Sequence, residues 1–195
     1  MRYSFREAIS CHDLHFMRAA GMTMIEVLVT LAIAAIMLTL AVPSFNDFLQ
    51  SSRFSTFSNA YLTHLHLARS EASKRSGRVA LCKSANGTTC TTSGGWQQGW
   101  IIFHDANNNA LADTGEEILR VNEAFPTNWS LHGNTQVENY VSYAAMGGAR
   151  MTSGAFQAGT LTLCREATVS GEARAIIVSS TGRPRVEKTI AASCP

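Results

Sequence analysis

The chain has 195 residues, 46% of them hydrophobic, and a formal net charge of +2 at pH 7. That length fits one globular domain plus an anchor and excludes a string of domains, while a charge so near balance selects no partner by itself. The charge is unevenly placed, however. Between Ser84 and Ala149 a single basic residue, Arg120, stands against Asp105, Asp113, Glu116, Glu117, Glu123 and Glu138. From Arg150 onward Arg150, Arg165, Arg174, Arg183, Arg185 and Lys188 outnumber Glu166, Glu172 and Glu187. A basic face is the electrostatic footprint of a nucleic-acid binder, although a merely solvated face is its commoner meaning.

Residues 1–21 are polar, with Arg2, Arg6 and Arg18 against Glu7 and Asp13. From Met22 to Val42 run twenty-one residues in which Glu26 is the only charge. At 1.5 Å per residue a helix of that length covers roughly 30 Å, the thickness of a bilayer's hydrocarbon core. A Sec signal peptide carries its small-residue cleavage site after the apolar stretch. Here the small residue, Gly21, precedes it, so cleavage there keeps the apolar helix in the mature protein. Positive charge before the span places the leader in the cytoplasm and everything beyond about residue 43 on the other side of the inner membrane. A carboxylate alone in lipid needs a partner or a proton, which marks Glu26 as functional.

Gly21-Met-Thr-Met-Ile-Glu26 followed by VLVTLAIAAIMLTLAV resembles the type III signal of type IV prepilins and type II secretion pseudopilins. The resemblance implies cleavage between Gly21 and Met22 by a prepilin peptidase and methylation of the new Met22 amine. It makes Glu26 the fifth mature residue, placed to pair with the amine of a neighbouring subunit and so set assembly register. Pro43 matches the proline at which pilin helices bend. Met22 departs from the usual Phe, a tolerated change, and the leader is long; Met17 would give a five-residue leader. A generic anchor with an incidental Glu explains the apolar run but not these residues in register.

Beyond Pro43, the residues Phe45, Phe48, Leu49, Phe57, Tyr61, Leu65, Ala68 and Ala72 recur at helical steps with polar residues between them. This predicts an amphipathic helix to about Arg75, with Gly77 as its stop. His64 and His66 fall on different sides of it, which argues against a metal pair. The chain then switches to short β-rich runs: 78–83, 99–104, 117–122, 129–132, 140–144, 160–165, 173–179 and 185–189, punctuated by Gly, Asn and Ser. The expected fold class is therefore α+β: a long N-terminal helix, its first half transmembrane, packed on two antiparallel sheets. The domain plan is leader 1–21, membrane and assembly half-helix 22–43, amphipathic half-helix 44–76 and periplasmic β domain 77–195.

Cys11 is lost with the leader, leaving Cys82, Cys90, Cys164 and Cys194, an even number that reads as two disulfides in an oxidising compartment. Three pairings are open. Cys82–Cys90 and Cys164–Cys194 are preferred, the first closing a short loop at a strand end and the second pinning the tail to a strand. No Cys-x-x-Cys or nearby His supports zinc instead.

Trp100-x-x-Phe103-x-Asp105, an Asn-rich loop and Glu116-x-x-Leu119-Arg120 follow Cys82 in the order seen in GspH/FimT-type pseudopilin domains, which the chain resembles from Gly21 onward. The resemblance implies the pilin fold, other pilins or pseudopilins as partners, and filament initiation or capping as the role. In the same loop Asp105, Asn107, Asn109, Asp113 and Glu116 fall at positions 1, 3, 5, 9 and 12 of an EF-hand, with a Leu111 carbonyl at 7. Position 6 should be Gly but is Ala110, and strands rather than helices flank the loop. No cofactor is expected, calcium at this loop being the one alternative to an Asn-rich turn.

Thr181-Gly182-Arg183-Pro184-Arg185 resembles the Gly-Arg-x-Arg element of FimT-type pilins linked to DNA uptake. The resemblance implies double-stranded DNA as a partner, with Arg183 and Arg185 as contacts and Lys188, Arg174 and Arg150 as neighbours. Guanidinium groups suit bidentate phosphate contact. A solvated turn, or contact with the next subunit, is the plainer reading. No Gly-x-Ser-x-Gly, His-Glu-x-x-His or other catalytic set occurs, so no enzyme is expected. Trp96, Trp100 and Trp129 read as core. Two functions stay open: a DNA-binding minor pilin, or a type II secretion pseudopilin with a purely structural role.

Overall fold

The computed structural model describes residues 21–165, 171–191 and 194. The leader, with Cys11 and Met17, and the side chain of Pro43 lie outside them. One helix, α1 (Met24–Arg75), opens the described chain, and two compact units divide between Asn46 and Asp47.

In the first unit Thr23 caps α1: its Oγ1 accepts the Glu26 amide hydrogen at 3.3 Å, satisfying one of the free donors of the first turn. The backbone stays helical through position 43. An 18-residue window of this helix has mean hydropathy 2.5 and none of it is buried. An apolar surface of this extent has no stable place in water, and a lipid environment removes the cost.

In the second unit α1 buries Phe54, Ser58, Tyr61, Leu65, Ala68 and Ala72, spaced at steps of four and three. The expected stripe differs at its start: Phe45 and Phe48 are 60% and 67% exposed, and Phe54 is the first buried ring. Ser58 tolerates burial because its hydroxyl donates to the Phe54 carbonyl at 2.7 Å. The helix ends at Arg75 as expected, in a Schellman arrangement. The Gly77 amide bonds back to Ala72 O at 3.2 Å, and Ser76, not Gly77, takes the left-handed conformation at φ 51°. Gly77 is needed for space, since a Cβ there would press on the His104 ring.

Eight strands follow: β1 (Val79–Lys83), β2 (Trp100–His104), β3 (Ile118–Asn122), β4 (Trp129–Gly133), β5 (Tyr140–Tyr143), β6 (Gly159–Arg165), β7 (Gly171–Val178) and β8 (Pro184–Ala191). Their ends fall within two residues of the expected runs. A short 3-10 turn at Trp96–Gln98 has no counterpart in the sequence reading. The strands form two antiparallel sheets, ordered β3-β2-β1-β5 and β4-β6-β7-β8. One core gathers the helix stripe with Trp96, Trp100, Ile102, Trp129, Leu131, Tyr143, Leu163 and Ile176 from both sheets. All three tryptophans are core residues.

A second, smaller core covers the other face of the first sheet. Ala80, Cys82, Ile101 and Phe103 pack there against Cys90, Ala112, Ile118 and Tyr140. Burial on both faces explains why β1 has no polar alternation. Disulfides join Cys82 to Cys90 and Cys164 to Cys194, with Cα separations of 5.5 and 5.9 Å, in the preferred pairing. Each contributes about 2–4 kcal/mol by restricting the unfolded chain.

His64 links α1 to β2. The Trp100 indole N–H donates to His64 Nδ1 at 3.1 Å, so the ring must keep that nitrogen unprotonated. Burial first, and the Arg120 charge second, lower its pKa from the usual histidine value. The unfolded chain therefore takes up the proton more readily than the folded one. The contribution of this site is full above a pH of about 6.5 and is lost as pH falls below it toward the folded value. Melting curves of the full chain in detergent should show a steeper acid-side loss of Tm for wild type than for His64→Gln, which keeps a neutral acceptor. Identical pH slopes would refute the assignment.

Candidate functional site

At the helix start Met22 and Glu26 are exposed, and Glu26 has no side-chain partner among the described residues. Its backbone is fixed by the Thr23 cap, and a negative charge in a first turn also suits the helix dipole.

The second candidate surface is the β7–β8 turn. Ser179 organises it: its hydroxyl donates to Arg183 O and accepts the Arg183 amide hydrogen, both at 3.1 Å, while Gly182 N bonds to Ser179 O at 2.8 Å. Gly182 is left-handed at φ 76°, and a Cβ there would collide with the Gly147 carbonyl. Glycine is therefore required twice over, by conformation and by space. Arg183 projects into solvent from this rigid turn.

The other expected DNA contacts scatter. Arg185 is exposed but its Nε holds Glu187 at 2.7 Å. Arg174 does not belong to an exposed set: it is 3% exposed, paired with Glu172 at 2.8 Å and stacked over Phe54 at 5.1 Å. Alternation along β7 turns it to the core side, the face of Ile176 and Val178. Lys188 is exposed and lies opposite Arg174 in the β7–β8 register, away from the turn. Arg150 lies 3.9 Å over the exposed ring of Phe156. The segment 147–149 rests against Gly182, which brings Arg150 to the same end of the domain as Arg183. The stacking of Arg150 and the cancellation of Arg185 by Glu187 both escaped sequence reasoning. The second had a signal, because residues two apart on a strand share a face.

The Asn-rich loop folds on itself. Asn107 and Asn109 both donate their amides to Asp113 Oδ2 at 2.8 Å. Asp105 spends its two oxygens on the Asn109 and Ala110 amides, each at 3.0 Å. Glu116 spends its own on the Ala106 and Asp113 amides, at 2.8 and 3.1 Å. Burial raises the pKa of Asp105 and the two amide hydrogens pull it back; the Asn107 and Asn109 amides lower that of Asp113. Ala110 takes the left-handed conformation, φ 59°, where an EF-hand has glycine. Of the five expected donors, Asn107, Asn109 and Asp113 converge, while Asp105 and Glu116 serve the loop backbone. Among the described residues no three His, Cys, Asp or Glu side chains gather as a metal site.

An exposed apolar half-helix whose continuation backs two antiparallel sheets defines a membrane-anchored protein of type IV pilin fold. Residues 58–182 match the family model of the type II transport protein GspH, and residues 16–42 match the prokaryotic N-terminal methylation motif. The first match spans more than half of the chain, which therefore belongs to the GspH family. Two crystal structures of the type IV minor pilin FimU from Pseudomonas aeruginosa PAO1 share the fold at 18% identity. They have TM-scores of 0.58 and 0.55, covering 76% and 72% of this chain and 99% of FimU. A comparison with curated protein sequences gave no match.

We infer that the Asn-rich loop holds its shape without a metal, because its own amides already satisfy Asp105, Asp113 and Glu116. Chelation of the full chain should leave Tm unchanged, and millimolar calcium should evolve no binding heat. A calcium-dependent rise in Tm that Asp113→Ala abolishes would overturn this.

Proposed function

We propose that this GspH-family chain is a minor pilin that carries DNA-binding capacity into a type IV pilus. Prepilin peptidase cuts between Gly21 and Met22, and Met22 is methylated. The helix is a single inner-membrane span with the β domain in the periplasm, and the subunit initiates or caps the filament. The observation that supports DNA as the ligand is Arg183: an exposed guanidinium, without a carboxylate partner among the described residues, on a turn pre-ordered by Ser179. The ordered turn fixes the backbone from which the side chain reaches, and arginine matches a phosphate with two parallel donors.

A second reading, a type II secretion pseudopilin with a purely structural role, is favoured by the Arg185–Glu187 pair, which halves the charge of the Gly-Arg-Pro-Arg element. The two diverge in a gel shift with the full chain in detergent. The DNA reading expects duplex binding that weakens steeply with salt and falls at least tenfold in Arg183→Ala/Arg185→Ala, since each phosphate contact releases counterions. Binding retained in that double variant removes the turn from the site; no binding by wild type favours the structural reading.

For assembly, the free carboxylate at Glu26 supports pairing with the Met22 amine of a neighbouring subunit. Glu26→Ala is expected to insert into membranes normally but to be depleted from sheared filaments. Wild-type incorporation would eliminate that role.

A further inference from the structure

The stretches 48–70, 139–165 and 173–186 each carry no carboxylate. Each supplies one arginine to the same end of the β domain. Gly147 is the junction. Its carbonyl meets Gly182 of the Arg183 turn, and the Nε of Arg69 on α1 lies 3.0 Å from where a Gly147 Cβ would stand. Gly147 itself is left-handed at φ 74° and leads through Gly148 and Ala149 into Arg150. Arg69, Arg150 and Arg183 have no carboxylate partner among the described residues, whereas Arg174 and Arg185 each hold one and Arg75 holds two. Arg150 is steadied on the Phe156 ring, itself 61% exposed, and by the Gly154 carbonyl at 3.3 Å.

We propose that Arg69, Arg150 and Arg183 form one composite surface for the phosphate backbone of duplex DNA, with Arg69 drawing α1 into a site so far ascribed to the C-terminal turn. The proposal rests on the DNA reading above and deepens it. Unpaired cations from three segments, with no carboxylate in any of them, present a local positive field that the weak net charge of the chain conceals. Contacts of this kind fix position on the duplex and carry no sequence preference. The close approach of Gly147 to both Arg69 and Gly182 sets the helix arginine beside the segment that backs the Arg183 turn. The partner is therefore the polyanionic backbone, and recognition depends on phosphate spacing and salt, not on base identity.

The test is fluorescence anisotropy of the full chain in detergent micelles with two short duplexes of unrelated sequence, across a salt series. Arg69→Ala and Arg69→Gln should weaken both duplexes alike, several-fold, and lower the slope of log K against log salt by about one unit. Arg69→Lys should keep the wild-type slope, and none of these variants should change Tm. Wild-type affinity and slope in Arg69→Ala and Arg69→Gln, alongside lost binding in Arg183→Ala/Arg185→Ala, overturns the composite surface and leaves the turn's role standing. Wild-type binding by every variant, or no binding by any protein, overturns both. A loss on Arg69→Ala confined to one of the two duplexes also overturns the proposal, because backbone contacts cannot discriminate sequence.

Discussion

The buried stripe of α1 is the contact on which the β domain depends. Each sheet turns apolar side chains into one core that the helix shares. Phe54, Tyr61, Leu65, Ala68 and Ala72 fill the space between them. The side chains change along the stripe. At its start Phe54 and Phe57 meet Trp129 edge-on, each at 4.7 Å between ring centres, and Tyr61 does the same with Trp96 and Trp100. Towards its end the stripe carries only alanine, so the first sheet can come close where the helix turns through Ser76 and Gly77 into β1. Aromatic rings bury a large area each, and edge-to-face pairs add about 0.5–1.5 kcal/mol each beyond it.

Charge in this domain is sorted by whether it is spent. Arg75 holds Glu71 and Glu117 at 2.8 and 2.6 Å and ties the end of α1 to the strand that follows the Asn-rich loop. Both carboxylates are lowered in pKa by that guanidinium. Lys83 is buried and gives its amine to the Thr92 and Gly94 carbonyls, at 3.0 and 2.8 Å, which fastens the segment beyond Cys90 over its own strand. These cations serve the fold. The three at the Gly147 junction hold no carboxylate among the described residues, and a positive surface left unneutralised attracts anions from outside.

Much of this was legible in the sequence, for identifiable reasons. The strands could be placed because Gly, Asn and Ser bracket each apolar run, and the helix because its apolar positions keep a helical step for many turns. The start of the buried stripe could not, since Phe45, Phe48 and Phe54 are chemically alike. What separates them is where a second surface begins to cover the helix. The pairing of the cysteines followed from strand ends and was observed. The basic surface was only half legible. The turn at Arg183 is local and could be read from Gly182 and Pro184. The burial of Arg174 depends on which face of β7 meets the core, and Arg69 reaches the turn only through Gly147, nearly eighty residues away along the chain. Tertiary proximity of that kind leaves no trace in spacing.

The loop over the outer face of the first sheet has a bearing on how the domain comes apart. Its sequence, rich in Asn and Ala, looks like a connector of the sort that accepts insertions freely. Instead its Ala112 amide donates to Cys90 Sγ at 3.3 Å, Ala112 packs against the disulfide and the ring of Phe103, and Ala110 is itself buried. The domain therefore carries two shells that share β1 and β2 but not their covering. Lifting the loop exposes only the outer shell and leaves the helix stripe untouched, so this region can open as a unit of its own, well below the free energy of global unfolding. Lengthening the chain between Asp105 and Glu116 would act on that local equilibrium first, and the buried stripe of the helix would not register it.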